Sequence, residues 1–343
     1  MQILRERGTH THLATDHYHY WEDGGCTYHT RYNTCEFARG QEGEGWIADL
    51  TGRADPPRGA MPESRTATSH FRQDFVNRYY TPNESDYPQA VTFRNSLRFL
   101  ETNHDSDNWF LHLETFDPHE PFRAPERFQA LYPHDWKGPH FDWPPYDRVT
   151  GNPDAVRHIR CPNAALISMC DHYLGLVLDA MDRYDLWKDT LLIVNTDHGF
   201  LLGEHDCWAK VWMPFYNEVS WMPLFAWDPR SGVRGARRRS VVQTIDLAPT
   251  LLDFFRRPDP AGHAGRPLRP VIERDEPIRE SGLFGLHGGH VNITDGRYVF
   301  YMRAPPEGRP NEPIYQYTLM PTHMRGFFRP AIWPMPNSCR LCP

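Results

Sequence analysis

The sequence predicts an α/β protein, with a mostly parallel central sheet flanked by helices and a small antiparallel sheet near the C-terminus. Three observations carry this. Apolar runs of strand length alternate with longer stretches of helical periodicity. The runs, such as "TLLIVNT" (190–196) and "MPLFAW" (222–227), are nearly continuous in apolar residues, as strands buried on both faces are. The densest acidic and His-rich segments begin where such runs end, at the edge where open α/β sheets bind ligands.

In chain order, "MQILRERGTHTHLATD" (1–16) reads as the tail of a helix, a glycine break and a short strand over 11–15. Residues 16–86 read as loop, rich in Gly, His, Tyr, Asp and Pro. An amphipathic helix follows over 87–103, with Val91, Phe93, Leu97, Phe99 and Leu100 on its apolar face. A strand over 108–116 alternates Phe110 and His112 with Leu111 and Leu113. A long loop then runs from Asp117 to about Cys161, and loops of that length are usually functional. Residues 163–186 form a helix, on the three- and four-residue spacing of Leu166, Met169, Cys170, Leu174, Val177, Leu178 and Met181. Beyond the strands at 190–196 and 222–227 come a helix over 244–255 and, from about 282, two short antiparallel strands. These boundaries divide the chain into an α/β domain over 1–281 and a small C-terminal subdomain with an irregular tail over 282–343.

The net charge of −7 and the absence of any Lys/Arg run longer than residues 237–239 argue against a nucleic-acid partner. No stretch approaches 18 consecutive apolar residues, so no membrane span or membrane partner is expected. The charged opening "MQILRERGTH" lacks the apolar core of a signal peptide, which leaves localisation open, and cytoplasmic if the chain is complete. Seven cysteines, odd in number and scattered, suit reduced thiols better than a disulfide framework. Nineteen histidines invite a zinc reading at His10, His12, His17, His19, Cys26, His29 and Cys35, but their spacing fits no compact Cys/His template. Cys339 and Cys342 read as part of a frayed end. Asn292-Ile293-Thr294 fits a glycosylation signal, although it lies in an expected strand.

The chemistry concentrates in two segments. "DHGFLLGEHDCWAK" (197–210) places Asp197 and His198 at a strand tip, an oxygen and an imidazole nitrogen suited to a divalent cation, and Lys210 twelve residues beyond His198. "FLHLETFDPHEPF" (110–122) ends another strand and carries His119.

The first segment resembles the Asp-His-Gly-x-x-Leu-Gly-Glu-His-x-x-Trp-x-Lys signature of the sulfatase family, within the alkaline-phosphatase superfamily. The second is similar to that family's strand followed by His-x-Pro-Phe. "LRERGTHTHLA" (4–14) and "VNITDGRYVFY" (291–301) resemble two further family segments, so the likeness covers most of residues 1–303. It implies metal-dependent hydrolysis of a sulfate ester, on a sugar or an aryl alcohol. By the same resemblance Asp197 and His198 are metal ligands, Lys210 neutralises the ester oxygens, and His119 is the general acid. The implied cofactor is Ca²⁺ or Mg²⁺, with Mn²⁺ a third candidate. Many relatives carry a Gly-Lys-Trp-His segment where this chain has "TDHYHYW" (15–21). Asp16 stands at the lysine position and the histidine falls at His17 or His19, of which His19 is the catalytic candidate. Trp136, His140, Phe141 and Trp143 are candidates for stacking on a substrate ring.

The family's nucleophile is a formylglycine made from the Cys or Ser of a Cys/Ser-x-Pro-x-Arg segment. No such segment occurs here, nor any Asp-Asp pair of the kind that supplies two further ligands. The expectation is therefore a chain lacking the N-terminal nucleophile region, with no nucleophile to assign, weak cation affinity and little activity by itself. Two other functions compete. One is hydrolysis of phosphonate monoesters or phosphodiesters at the same kind of site. The other is a non-catalytic remnant. The oligomeric state is not legible.

Overall fold

Three parallel strands give the protein its first layer. The computed structural model describes residues 1–22, 25, 27–57, 69–259, 262–285 and 291–302, together with 322–323 and 326–327. Cys26, Cys339, Cys342 and the tail from 328 lie outside those residues. The chain forms two compact units that interleave in sequence, one built from residues 1–20, 28–186 and 201–209, the other from 21–27, 187–200 and 210–343.

In the first unit, a short helix α1 (Gln2–Glu6) leads into strand β1 (His10–Thr15), which lies between β2 (Thr34–Phe37) and β3 (Trp109–Glu114). All three are parallel, and Thr15 pairs with Phe37 on one side and Glu114 on the other. Leu13 and Ala14 are fully buried, as a central strand covered on both faces requires. Helix α2 (Ser69–Tyr80) and helix α3 (Pro88–Asn103) follow β2. The second has Pro at its first position, where the missing N–H costs nothing. Its Ala90, Phe93, Phe99 and Leu100 are buried, and it packs on β1 and β3.

Helix α4 (Pro153–Arg183) begins ten residues before the expected start. Pro162 accounts for the difference. A proline reads as the first residue of a helix, yet here it sits inside one, at the loss of one backbone hydrogen bond. The true start is capped by the Asn152 side chain, which accepts from the amide of Asp154 at 2.8 Å. By length and composition alone α4 is long and apolar enough to cross a membrane, although it holds no uninterrupted run of 18 apolar residues. Its Ile159, Ala165, Leu166 and Met169 are fully buried in this unit, and it packs on α3.

The region expected as loop, 16–86, is therefore structured in part by β2 and α2. Helix α2 is tied to the long loop by ions, with Arg78 contacting Asp74 at 2.7 Å and Asp142 at 2.5 Å. Burial alone would raise Asp142, but the Arg78 guanidinium and His140 hold its carboxyl far below the usual range.

The second unit contains β4 (Leu192–Asn195), paired antiparallel with β5 (Leu224–Trp227). Helices α5 (Leu247–Phe254) and α6 (Arg269–Arg274) follow. Leu268, Val271 and Ile278 form its core, with Leu224, Val242 and Leu247 packed against them. Fully buried Asp246 knits this core. It accepts backbone N–H bonds from Gln243 and Arg266, each at 2.8 Å, and pairs with Arg279. The C-terminal sheet has three antiparallel strands rather than the expected two, β6 (Gly282–Gly285), β7 (Val291–Thr294) and β8 (Val299–Met302), with β7 in the middle. Asn292 of the glycosylation signal is buried in β7, so that side chain is not presented to solvent.

Candidate active site

Because β1 and β3 are parallel neighbours, the chain leaving each emerges at the same carboxyl edge. The segment after β1 carries Asp16, His17 and His19, and the one after β3 carries Phe116, Asp117 and His119. Phe116 is the hub. The rings of His17, Tyr18, His19 and His119 lie 5.3, 5.7, 5.5 and 4.6 Å from its centroid. Two of the residues expected from the sequence, His19 and His119, thus meet on one aromatic ring.

Two of these histidines, His17 and His119, are oriented by carboxylates. His17 Nδ1 lies 3.4 Å from Glu114, which also accepts from Thr15 and Tyr20, each at 2.9 Å. Burial opposes ionisation of Glu114. The contacts from His17 and Thr15 and the charge of His112 outweigh it and take the carboxyl down to about 2. His119 Nδ1 donates to the backbone carbonyl of Glu120 at 2.5 Å and lies 3.4 Å from the Glu120 carboxylate and 3.6 Å from Glu42. The flanking bonds Asp117–Pro118 and Glu120–Pro121 are both cis.

Glu42 was not legible as a site residue. It sits in "GQEGEG" (40–45), which reads as an unremarkable loop. The loop is rigid. Glu42 has φ of +50°, a left-handed conformation that a glutamate adopts only when its surroundings impose it. The Asn77 side chain donates to the carbonyls of Glu42 and Glu44, both at 2.9 Å. At Gly43 a Cβ would lie 2.3 Å from the carbonyl oxygen of His70, so only glycine lets α2 approach this closely. The signal that could have found Glu42 is this acidic residue between glycines, required by a close approach rather than by flexibility.

Asp16, at the family's lysine position, does not face outward. It is fully buried, and its Oδ1 accepts from the amide of Phe116 at 2.7 Å. It therefore ties the ends of β1 and β3 together. Burial, then the charge of Asp117, raises its carboxyl well above the usual range, and burial takes Asp117 up to about 7. Gln41 donates to Asp117 at 3.1 Å.

The proposed substrate-stacking rings of the long loop are engaged within the protein. Trp136 stacks on His158 at 4.5 Å, Phe141 meets Trp208, Trp143 packs against His70 and Phe71, and His140 pairs with Asp142 at 3.1 Å.

In the second unit, Asp197 and His198 follow the end of β4. Asp197 is 83% exposed in its side chain and its Oδ2 lies 3.5 Å from His198 Nε2. His198 Nδ1 donates to the carbonyl of Gly199 at 3.0 Å. That fixes the proton on Nδ1 and makes Nε2, beside Asp197, the lone-pair nitrogen that a cation would meet. The pair supplies two donors of the right chemistry for part of a coordination shell. Among the described residues, no group of three or more His, Cys, Asp or Glu side chains is arranged to hold a metal ion.

Lys210, also in the second unit, is only 6% exposed, with Nζ 5.8 Å from the centroid of Phe200. Its sequence neighbours Ala209 and Val211 have φ of +70° and +72°. Such angles are rare for any side chain and costly for a β-branched one. Glu204 of the same motif is structural. In the first unit its carboxylate accepts from the Leu202 amide and from Arg160, each at 2.6 Å.

Residues 1–256 match the family described as Sulfatase. That span contains both motif segments and three quarters of the chain, so the protein belongs to the sulfatase family, within the alkaline-phosphatase superfamily. Among its relatives, the choline-sulfatase of Rhizobium meliloti is 26% identical over 258 residues, covering 66% of this chain and 49% of that protein. The multifunctional alkaline phosphatase superfamily protein PehA of Trinickia caryophylli is 26% identical over 234 residues, 57% of this chain and 45% of that one. The chain thus spans about half the length of these curated relatives. Among solved structures, the phosphonate monoester hydrolase of Agrobacterium radiobacter shares the fold, with a TM-score of 0.61, 17% identity and coverage of 89% of this chain and 71% of that one.

Proposed function

We propose that this protein hydrolyses a singly charged tetrahedral ester and that a phosphonate monoester or phosphodiester is its preferred substrate class. The observation that carries the hydrolase reading is the family match over 1–256, which includes both the His119 and the Asp197–Lys210 motifs. The phosphorus reading draws support from Asp16, buried where many sulfatases present a lysine, which leaves one cation fewer for a sulfate group. The broad fold overlap with a phosphonate monoester hydrolase points the same way. A sulfate ester, on a sugar or aryl alcohol, is the second reading, favoured by the choline-sulfatase relative.

In this reading Asp197 and His198 hold part of the shell of a divalent cation, Ca²⁺, Mg²⁺ or Mn²⁺. When bound, such an ion polarises the ester oxygens. Lys210, kept from water, opposes the charge that grows on those oxygens. His119 delivers a proton to the leaving oxygen as its bond to phosphorus or sulfur breaks, and His19 lines the same aromatic cluster. No nucleophile is assigned within this sequence, and formylglycine remains a property of the family.

The test is turnover of an aryl phosphonate monoester, an aryl phosphodiester and an aryl sulfate by the protein purified from its own cells, with each cation supplied. Faster turnover of the phosphorus esters supports the proposal, and faster turnover of the sulfate transfers it to the second reading. No turnover of any, with cation bound, marks a non-catalytic relative.

A further inference from the structure

A histidine that donates a proton must present the correct nitrogen and hold its charge. The surroundings of His119 fix both on its Nδ1 side. That nitrogen faces three oxygens, the Glu120 carbonyl at 2.5 Å, the Glu120 carboxylate at 3.4 Å and Glu42 Oε1 at 3.6 Å. A carbonyl oxygen only accepts, so Nδ1 carries the hydrogen in the neutral ring, and the second proton is taken up at Nε2.

The two carboxylates are not equivalent. Glu120 belongs to the same turn as His119 and is engaged by the hydroxyl of Tyr146 at 2.5 Å. Glu42 comes from the strained, glycine-flanked loop whose Glu42 and Glu44 carbonyls Asn77 pins, so its carboxylate reaches His119 from a separate element. Its other oxygen accepts from Tyr18 at 2.7 Å and lies 3.6 Å from His70 Nε2. Burial pushes its carboxyl up, but the contact with His70, the charge of His119 and the Tyr18 hydroxyl outweigh this and leave it below its ordinary value. Glu42 is thus an anion shared by two histidines that are 49 residues apart in sequence. His17 and His19 also contact the Phe116 ring that His119 meets, and Asp117 lies two residues before His119.

We propose that Glu42 is the positioning residue of the proton donor, holding His119 in its Nδ1–H form and stabilising the imidazolium from which Nε2 gives up its proton. The inference rests on the hydrolase reading for its purpose. In the step itself, an incoming oxygen, that of water in the net hydrolysis, bonds to phosphorus or sulfur as the bond to the leaving oxygen breaks. The electron pair of the broken bond stays on the leaving oxygen, and the Nε2 proton transfers there. The ring returns to the neutral Nδ1–H form beside Glu42, and the proton lost by the water later restores the imidazolium.

Two measurements on the full chain test it. The first is a ¹⁵N-histidine NMR titration, with the His119 signals assigned by their loss in His119→Gln. In the unaltered protein the neutral His119 ring should be the Nδ1–H tautomer, and an Nε2–H tautomer would overturn the proposal without any variant having to fold. In Glu42→Gln, which keeps the shape and removes the charge, His119 should lose its proton at lower pH than in the unaltered protein. An unchanged titration sinks the idea. The second is the pH profile of kcat/KM on whichever ester is turned over. The alkaline fall in activity should move to lower pH in Glu42→Gln and stay in place in Arg127→Gln, a remote loss of charge. Because the NMR arm needs no turnover, failure of the hydrolase reading and failure of the Glu42 role are separable.

Discussion

A methyl group at Gly199 would lie 1.9 Å from the backbone oxygen of Glu218. The contact is part of how the end of β4 is held, because the Gly199 amide donates to the next carbonyl, Val219, at 2.9 Å. Gly199→Ala must push the two segments apart. Overpacking of this kind costs about 1–3 kcal/mol, and urea unfolding should register a loss of that size. A midpoint equal to that of the unaltered protein would mean that the approach relaxes without strain. The glycine of the Asp-His-Gly motif is therefore explained by a backbone contact, whatever the chemistry beside it.

Asp197 makes the opposite prediction. Its side chain is mostly in water and bonds the backbone amide of His198 at 2.8 Å, so Asp197→Ala should change stability by about 0.5 kcal/mol or less. Cation binding should nevertheless fall. Mn²⁺ titration followed by electron paramagnetic resonance reads this without turnover. Equal Mn²⁺ affinity in the variant would remove Asp197 from the ligand set.

Buried Asp117 gives a pH dependence of definite sign. Its folded pKa of about 7 lies above the ordinary value of 3.8, with burial as the main cause. Below 3.8 both folded and unfolded chains hold the proton, so the residue is neutral in its effect. Between 3.8 and about 7 the unfolded chain ionises first, and the folded state loses stability as pH rises. Asp117→Asn removes that loss and can still accept from Gln41. The variant should match the unaltered protein at pH 3.5 and exceed it at pH 8 by about 4 kcal/mol. Equal stability of the two at pH 8 would show that the folded state keeps Asp117 ionised at no expense.

Much of this architecture could be read from the sequence, and the exceptions share a cause. The helix over 87–103 and the strand over 108–116 were visible because each buries one face or one run of apolar side chains. The start of α4 was hidden by Pro162, whose local meaning depends on whether the helix has already begun. Strand β2 was hidden because Thr34, Cys35, Glu36 and Phe37 show no apolar run, and the strand exists through its pairing with β1. The motif residues His119, Asp197, His198 and Lys210 stood out by resemblance. Glu42 did not, because its significance lies in meeting both His119 and His70, which no local pattern announces.

The last prediction concerns Val211. A β-branched residue at φ of +72° costs of order 1–3 kcal/mol, and Val211 is exposed enough that its side chain recovers little of that by packing. Glycine accepts the same angle without strain. Although it also frees the unfolded chain, Val211→Gly should stabilise the fold by about 1 kcal/mol. Lys210 lies between Val211 and Ala209, another residue with positive φ. If these two stiff joints aim the buried ammonium at the ester oxygens, loosening one should lower kcat while the melting temperature rises. Loss of a preorganised charge of this kind is worth up to 10²–10³ in kcat when complete, so Lys210→Met sets the lower bound, and Val211→Gly should fall between it and the unaltered protein. A variant that is both more stable and fully active would mean that the strain at Val211 serves no catalytic purpose.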